Sequence, residues 1–303
     1  MELNEYQAVA QQTDRTRGRL DEEARLIPLL GLAGEAGQLL AEYKKRLRDG
    51  PSHQHFVDQV AEELGDILWY VANVAEKYGL SLEAVAQSNL GKTRGRFGPV
   101  SATALDATGK DGERFPRRFV VEFTEVRDGD RVKVRASVDG AAVGATLTDN
   151  AYQDDGYRFH DVFHIANVAI LGWSPVLRGL FKLKRRSDER VDEVEDGGRA
   201  AVIEEGVVAA IFAYARRHAF LEGIEDLDEP LIRTVRSMCE HLEVASQPPA
   251  AWRKAILDGF AVWRQVVANS GGRVEADLDA RTVRYLGGPS DKATATAAAD
   301  AAE

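Results

Sequence analysis

Gly31-Leu-Ala-Gly-Glu-Ala-Gly-Gln38 and Glu62-Glu-Leu-Gly-Asp-Ile-Leu-Trp-Tyr70 are the stretches that decide the fold of the first third of this chain. Each lies in a run with helical apolar spacing. Each also sets two oxygen-bearing side chains at i and i+3, Glu35 with Gln38 and Glu63 with Asp66. Positions i and i+3 share one face of a helix. Two such helices packed antiparallel point Glu35, Gln38, Glu63 and Asp66 into one seam. An all-oxygen set suits a hard divalent cation such as Mg²⁺, shared with substrate phosphates. The expectation is a metal-dependent enzyme acting on phosphates.

Working outward, residues 1–97 read as four helices with no strand. The first begins near Leu3 and includes Tyr6, Gln7, Val9 and Ala10. The second runs from about Ala24 to Arg48 and stops at Asp49-Gly50-Pro51. The third covers about His55 to Tyr78, with Val57, Val60, Leu64, Ile67, Leu68, Val71 and Val74 on its apolar face. Ser81 caps a fourth from Leu82 to about Arg94, with Glu83 in its first turn. This is a helical-bundle pattern, and its small core favours dimerisation through the apolar faces.

Residues 98–117 have little periodicity and read as a linker. The period then changes to two. Phe119 to Val126, Arg131 to Val138 and Ala141 to Thr148 predict a three-stranded antiparallel meander, with Asp139-Gly140 as a hairpin turn. Helices are expected at about 157–183, 199–221, 228–245 and 249–269, and a last hairpin at 273–278 and 281–286. The fold class is therefore mainly α: an all-α bundle over 1–97, then an α+β domain over 118–286 with a small antiparallel sheet and several helices. The Ala/Thr/Asp-rich tail, 287–303, is expected to be disordered.

The 303 residues are 44% hydrophobic and 29% charged, a globular composition. A formal net charge of −10 argues against direct nucleic-acid binding, which rests on Lys and Arg. The only cysteine is Cys239, so no intramolecular disulfide forms and a reducing cytoplasm is expected. Its apolar neighbours predict a buried thiol. No apolar run has the length of a membrane span.

The first 97 residues resemble the MazG-like nucleoside triphosphate pyrophosphohydrolases. The resemblance is carried by Tyr6-Gln7, the segment 31–38, Lys44-Lys45, Glu63-Leu-Gly-Asp66-Ile-Leu-Trp-Tyr70, and the closing Asn89, Lys92, Arg96 and Phe97. It implies an all-α fold, assembly as a homodimer or homotetramer, and cleavage of an NTP to NMP and pyrophosphate with Mg²⁺, or Mn²⁺ in its place. Glu35, Glu63 and Asp66 then act as catalytic metal ligands, and one of them also orients the attacking water. Lys92 and Arg96 pair with phosphate oxygens, Asn89 bonds the sugar or a phosphate, and Lys44 and Lys45 add positive field. Gly34 and Gln38 stand where the family usually carries glutamates. Gln38 offers a neutral oxygen to the metal, which leaves a non-catalytic nucleotide-binding regulator as an alternative.

In the second half, Tyr157-Arg-Phe-His-Asp-Val-Phe-His164 puts His160 and His164 at i and i+4, with Asp161 beside them. Glu204 and Glu205 sit in an otherwise apolar helical stretch. Imidazoles from one helix and carboxylates from another can hold Zn²⁺, Mn²⁺ or Fe, giving a second hydrolase activity. The plainer reading, preferred on sequence grounds, is a buried hydrogen-bond network joining two helices. Lys182 to Arg186 and Asp188 to Asp196 read as an exposed, self-compensating connection. Trp173, Trp252 and Trp263 read as core. Residues 118–286 also resemble the C-terminal extension of some MazG-like proteins, with no chemistry implied.

Overall fold

Local signals set the helix ends of the first third. In the computed structural model, which describes residues 1–16, 18–97, 102–103, 105–107, 109–129 and 131–288 (without the side chains of Arg96, Phe97 and Asp128), the chain divides into two compact units, Met1–Arg94 and Gly95–Glu303. Helix α1 (Leu3–Ala10) opens on a capping box between Glu2 and Glu5. Helix α2 (Asp21–Asp49) has Asp21, Glu22 and Glu23 in its first turn and Arg46 and Arg48 in its last, matching the helix dipole. It ends at Gly50, whose φ of 57° stops it. Helix α3 is Phe56–Lys77. Helix α4 (Leu82–Phe97) starts where the Ser81 hydroxyl accepts from the Ala84 N–H at 3.1 Å.

Helix α3 packs along α2 and against α1. Gln7 ties α1 to the α3–α4 turn, donating to Glu76 and to the Leu80 carbonyl and accepting from the Leu82 N–H at 2.7 Å. The buried apolar residues described in this unit are few: Ala10, Pro28, Ala72, Ala75 and Leu82, with Leu3, Tyr6, Trp69 and Val71 packed around Ala10, Ala72 and Leu82. The expected apolar face of α3 is only partly covered: Val60, Ile67, Val71 and Val74 are half-buried, while Val57, Leu64 and Leu68 are exposed. Val57 is 74% exposed and Leu64 51%, and on α2 Leu30 and Leu40 are 63% and 71% exposed. Among the described residues of this unit, no element lies over this stripe.

The second unit is built on a five-stranded antiparallel sheet, ordered β3-β2-β1-β4-β5. Its strands are β1 (Arg118–Asp128), β2 (Arg131–Val138), β3 (Ala141–Leu147), β4 (Gly271–Asp277) and β5 (Thr282–Tyr285). Asp139 and Gly140 both take positive φ, 50° and 81°, which closes the β2–β3 hairpin. The meander and the last hairpin form one sheet, because β1 pairs with β4 from Arg118↔Asp277 to Thr124↔Gly271. Phe119, Val121 and Phe123 alternate onto the buried face with Val134, Ala136, Val274 and Ala276.

Helix α5 (Asp161–Leu171) contacts the sheet at β4 and β5, and every one of its residues is buried. Helices buried on all sides form the centre of a domain. Around it run α6 (Pro175–Leu180), α7 (Glu189–Val194), α8 (Gly198–Arg216), α9 (Glu229–Met238) and α10 (Pro249–Ala268). The helix expected over 157–183 is broken, since Gly172 turns left-handed and Ser174 caps a new start. Trp173, Trp252 and Trp263 are buried, and so is Cys239, whose thiol burial pushes up to about 12.

Two sequence readings are corrected. The stretch expected as a linker contributes Phe115 and Asp106 to the interior of this unit, and Gln247 bonds both the N–H and the carbonyl of Thr103. The segment expected as an exposed connection contains α7 and a buried ion network. Asp196 accepts from the Arg185 backbone at 2.7 Å and from its guanidinium at 2.7 Å. Arg178, 2% exposed, bonds Asp106, lies 3.5 Å from Asp196 and donates to the Glu113 carbonyl. Asp196→Ala leaves Arg178 and Arg185 short of a buried carboxylate. Urea unfolding should show a loss of about 3–5 kcal/mol; a change within about 0.5 kcal/mol would mean the network carries no stability.

Candidate functional site

The i, i+3 spacing places Glu35 and Gln38 on one face of α2, and Glu63 and Asp66 on one face of α3. The packing of α2 on α3 brings one carboxylate oxygen each of Glu35, Glu63 and Asp66 within 4.8 Å of one another. Glu35 and Glu63 are half-buried and Asp66 is exposed. Gln38 turns its NH₂ to Glu35, donating at 2.5 Å. Three like charges at this range oppose one another. Burial raises the Glu63 carboxyl above its ordinary value, followed by the charge of Glu35 and a hydrogen bond with it, then by Asp66 and Glu62. Burial also raises the Tyr6 phenol, with the Asp66 charge adding to it.

Beside the cluster opens a cleft of about 490 Å³, into which Glu35, Asp66, Arg15, Trp69 and Tyr70 face. Its far wall is the turn after α1. There Asp14 is bound by Lys77 at 2.5 Å and by the Thr16 N–H and hydroxyl, and the Trp69 indole donates to Thr13 at 2.8 Å. The sequence reading missed this wall: Asp14, Arg15 and Thr16 lie in a short irregular segment without periodicity. Arg15 is exposed and is the cation lining the cleft among the described residues.

The expected phosphate contacts are not gathered here. Lys45 bonds the buried Glu42 at 2.5 Å, and Glu42 also bonds His53 at 2.9 Å. Lys44 is exposed and stands nine helical steps from Glu35, about 13 Å along the axis. Asn89 and Lys92 are exposed on α4, with no bond to the acidic cluster among the described residues. The Arg96 side chain lies outside the described residues.

In the second unit, His160, Asp161 and His164 also bring ligand atoms within 4.8 Å of one another. His164 is fully buried, and its Nδ1 lies 2.8 Å from Glu204. Burial alone pushes this imidazole down, but the charge and hydrogen bond of Glu204, then Glu205 and Asp161, hold it well above the usual histidine range.

Residues 27–100 match the MazG nucleotide pyrophosphohydrolase domain, and residues 100–288 match the MazG C-terminal domain. The chain belongs to the MazG family. MazG proteins generally depend on a divalent metal, and the acidic cluster fits one: its donors are all oxygen, and they repel one another in the absence of a cation. Over 69 residues this MazG chain is 44% identical to Gene 37 protein of Mycobacterium phage L5, a stretch that covers 22% of the chain and 60% of that relative. The chain thus spans less than two thirds of the relative's length. No solved structure matches.

The raised Glu63 carboxyl makes a pH prediction. An acid held high binds its proton more tightly in the folded state. That stability is complete below the unfolded pKa and is lost as pH rises through the folded value. A cation bound by the carboxylates competes with that proton, so its affinity falls as pH drops through the same range. Thermal melts should show Mg²⁺ stabilising the protein more at about pH 7.5 than at about pH 5, with the difference reduced in Glu63→Gln. Equal Mg²⁺ stabilisation at both values would separate Glu63 from metal binding.

Proposed function

We propose that this protein is a Mg²⁺-dependent nucleoside triphosphate pyrophosphohydrolase, converting an NTP and water to NMP and pyrophosphate. The observation that supports this most is the convergence of Glu35, Glu63 and Asp66 at the edge of an open cleft. These carboxylates would hold Mg²⁺, with Gln38 as a neutral fourth donor or as the group that orients Glu35. When bound, Mg²⁺ supplies charge neutralisation for the triphosphate and a more acidic water. Water attacks the α-phosphorus, its oxygen forms the new P–O bond, and the bond to the β-phosphate bridge breaks to release pyrophosphate. One carboxylate of the cluster accepts the water's proton. Trp69 and Tyr70 offer an aromatic wall to the nucleoside, and Arg15 a charge to phosphate oxygens. Lys44, Lys45, Asn89, Lys92 and Arg96 belong to the proposal through the resemblance, since no contact among the described residues carries them to the cluster. A cytoplasmic location belongs to it as well, supported by the single, buried Cys239; among the described residues no helix is long and apolar enough to cross a membrane.

Chromatography of a panel of canonical, deoxy and modified NTPs should give NMP and pyrophosphate without accumulated NDP. Asp66→Asn should lower the rate by about two orders of magnitude. NDP with orthophosphate as the main products, or a near-normal rate in that variant, would defeat the assignment. A second reading, a nucleotide-binding regulator, draws on the Gln38–Glu35 bond, where an amide stands in place of a further carboxylate. It requires calorimetric nucleotide binding with no pyrophosphate released by any member of the panel.

The exposed apolar stripe of α2 and α3 supports assembly as a homodimer or homotetramer. Light scattering after size exclusion should give a multiple of the chain mass. Leu40→Glu, a substitution that a solvated position tolerates, should shift it towards the monomer. A monomeric parent protein would refute the assembly.

A further inference from the structure

The central helix of the second unit carries donors that packing alone does not use. His160 Nδ1 lies 2.9 Å from the Tyr157 carbonyl, and His164 Nδ1 lies 2.8 Å from Glu204 Oε1. Both partners are acceptors, so each Nδ1 donates its hydrogen there and Nε2 is the ring nitrogen left to bind an ion. The two Nε2 atoms face one space. His164 Nε2 has no hydrogen-bond partner although the residue is wholly buried. Its nearest carboxylate oxygen, Glu205 Oε1, is 3.5 Å away, beyond the usual N–H···O range. His160 Nε2 is 3.8 Å from Glu205 Oε2 and 3.8 Å from Asp161 Oδ1.

These separations are too long for good hydrogen bonds and suit ligands that share an ion. With bonds of about 2.1 Å, two donors on a tetrahedral metal stand about 3.4 Å apart. We infer that His160, Asp161, His164 and Glu205 form a binding site for a divalent transition-metal ion, of the zinc, manganese or iron(II) class. Two imidazoles and two carboxylates give that ion borderline nitrogen and oxygen donors and balance its charge.

The surroundings of the site fit this use. Glu204 does not face the ion. Its Oε1 accepts from His164 and from Asn167 at 3.2 Å, and its Oε2 from the Ser174 hydroxyl at 2.9 Å and the Val176 N–H at 3.0 Å. A carboxylate saturated in this way holds the imidazole in one tautomer and one orientation, as the outer shell of metal sites does. The Tyr157 ring stacks on His160 at 4.5 Å between centroids and holds the second imidazole. The Glu205 side chain, 43% exposed, forms the outer wall and leaves a path for the ion.

The test uses the full chain, expressed without a His-tag, in an Asp66→Asn background that weakens the separate acidic cluster. Elemental analysis should find about one transition-metal ion per folded chain. After chelation, Zn²⁺ alone should bind by calorimetry and raise the melting temperature. His160→Ala should abolish binding, and Glu205→Gln, at a half-exposed position compatible with folding, should weaken it at least about tenfold. Two results would overturn the site. One is folded, chelated protein that takes up none of Zn²⁺, Mn²⁺ or Fe²⁺, which leaves the cluster a structural hydrogen-bond network. The other is binding unchanged by His160→Ala and Glu205→Gln.

Discussion

The acidic cluster of the first unit depends on how closely α3 approaches α2. At Gly31 the Tyr70 ring lies so near the backbone that a Cβ would stand 2.2 Å from its carbons. With the Tyr70 ring in this position only a hydrogen fits there. This contact lies one turn from Glu35 on α2 and one turn from Asp66 on α3, so it helps set the gap across which the carboxylates face one another. A Cβ at Gly34 or Gly37 would meet no neighbouring element within 4 Å, so closeness is required of one glycine in this segment and not of the others. Close packing transmits that spacing to the cluster. Burial raises the Glu63 carboxyl most, and the nearness of Glu35 and Asp66 adds to it.

Both units pair buried charges, as Asp14 with Lys77 and Glu42 with Lys45 in the first, but the acidic cluster of the first stands apart. In the second, buried ions of unlike sign meet: Arg178 with Asp106, and Arg185 with Asp196 and Glu243. Such sets are complete within the chain, because each charge finds a partner and the remaining lone pairs find donors. In the first, like charges meet at the edge of a cleft, and a cation from solution is the natural complement. The same contrast occurs within a few ångströms around His164, where Glu204 is saturated and Glu205 is not. A saturated carboxylate is structural, whereas a carboxylate left facing an orphaned nitrogen is available for chemistry.

Much of this was legible in the sequence, and the reasons are local. The stop at Gly50, the cap at Ser81 and the Asp139-Gly140 turn depend on the conformational preferences of single residues. The i, i+3 pairs at 35/38 and 63/66 needed only helical periodicity and one helix pairing. The joining of β1 to β4 was hidden because it pairs residues from opposite ends of the second unit, and no local pattern records that. The buried network at Arg185 and Asp196 was hidden for another reason: a run of charge looks the same whether water or an opposite charge satisfies it. The cluster at His160 was visible as residue types, but the unpartnered Nε2 of His164 emerges only when side-chain geometry is known.

The first unit encloses few apolar side chains while its longest helices present leucines and valines to the outside. A unit of this size gains little from so small an interior. In the proposed assembly a second copy covers the stripe, and the unit's stability becomes a function of concentration. Dilution acts on such a unit as denaturant acts on others, and the acidic cluster, built across the same two helices, would loosen with it.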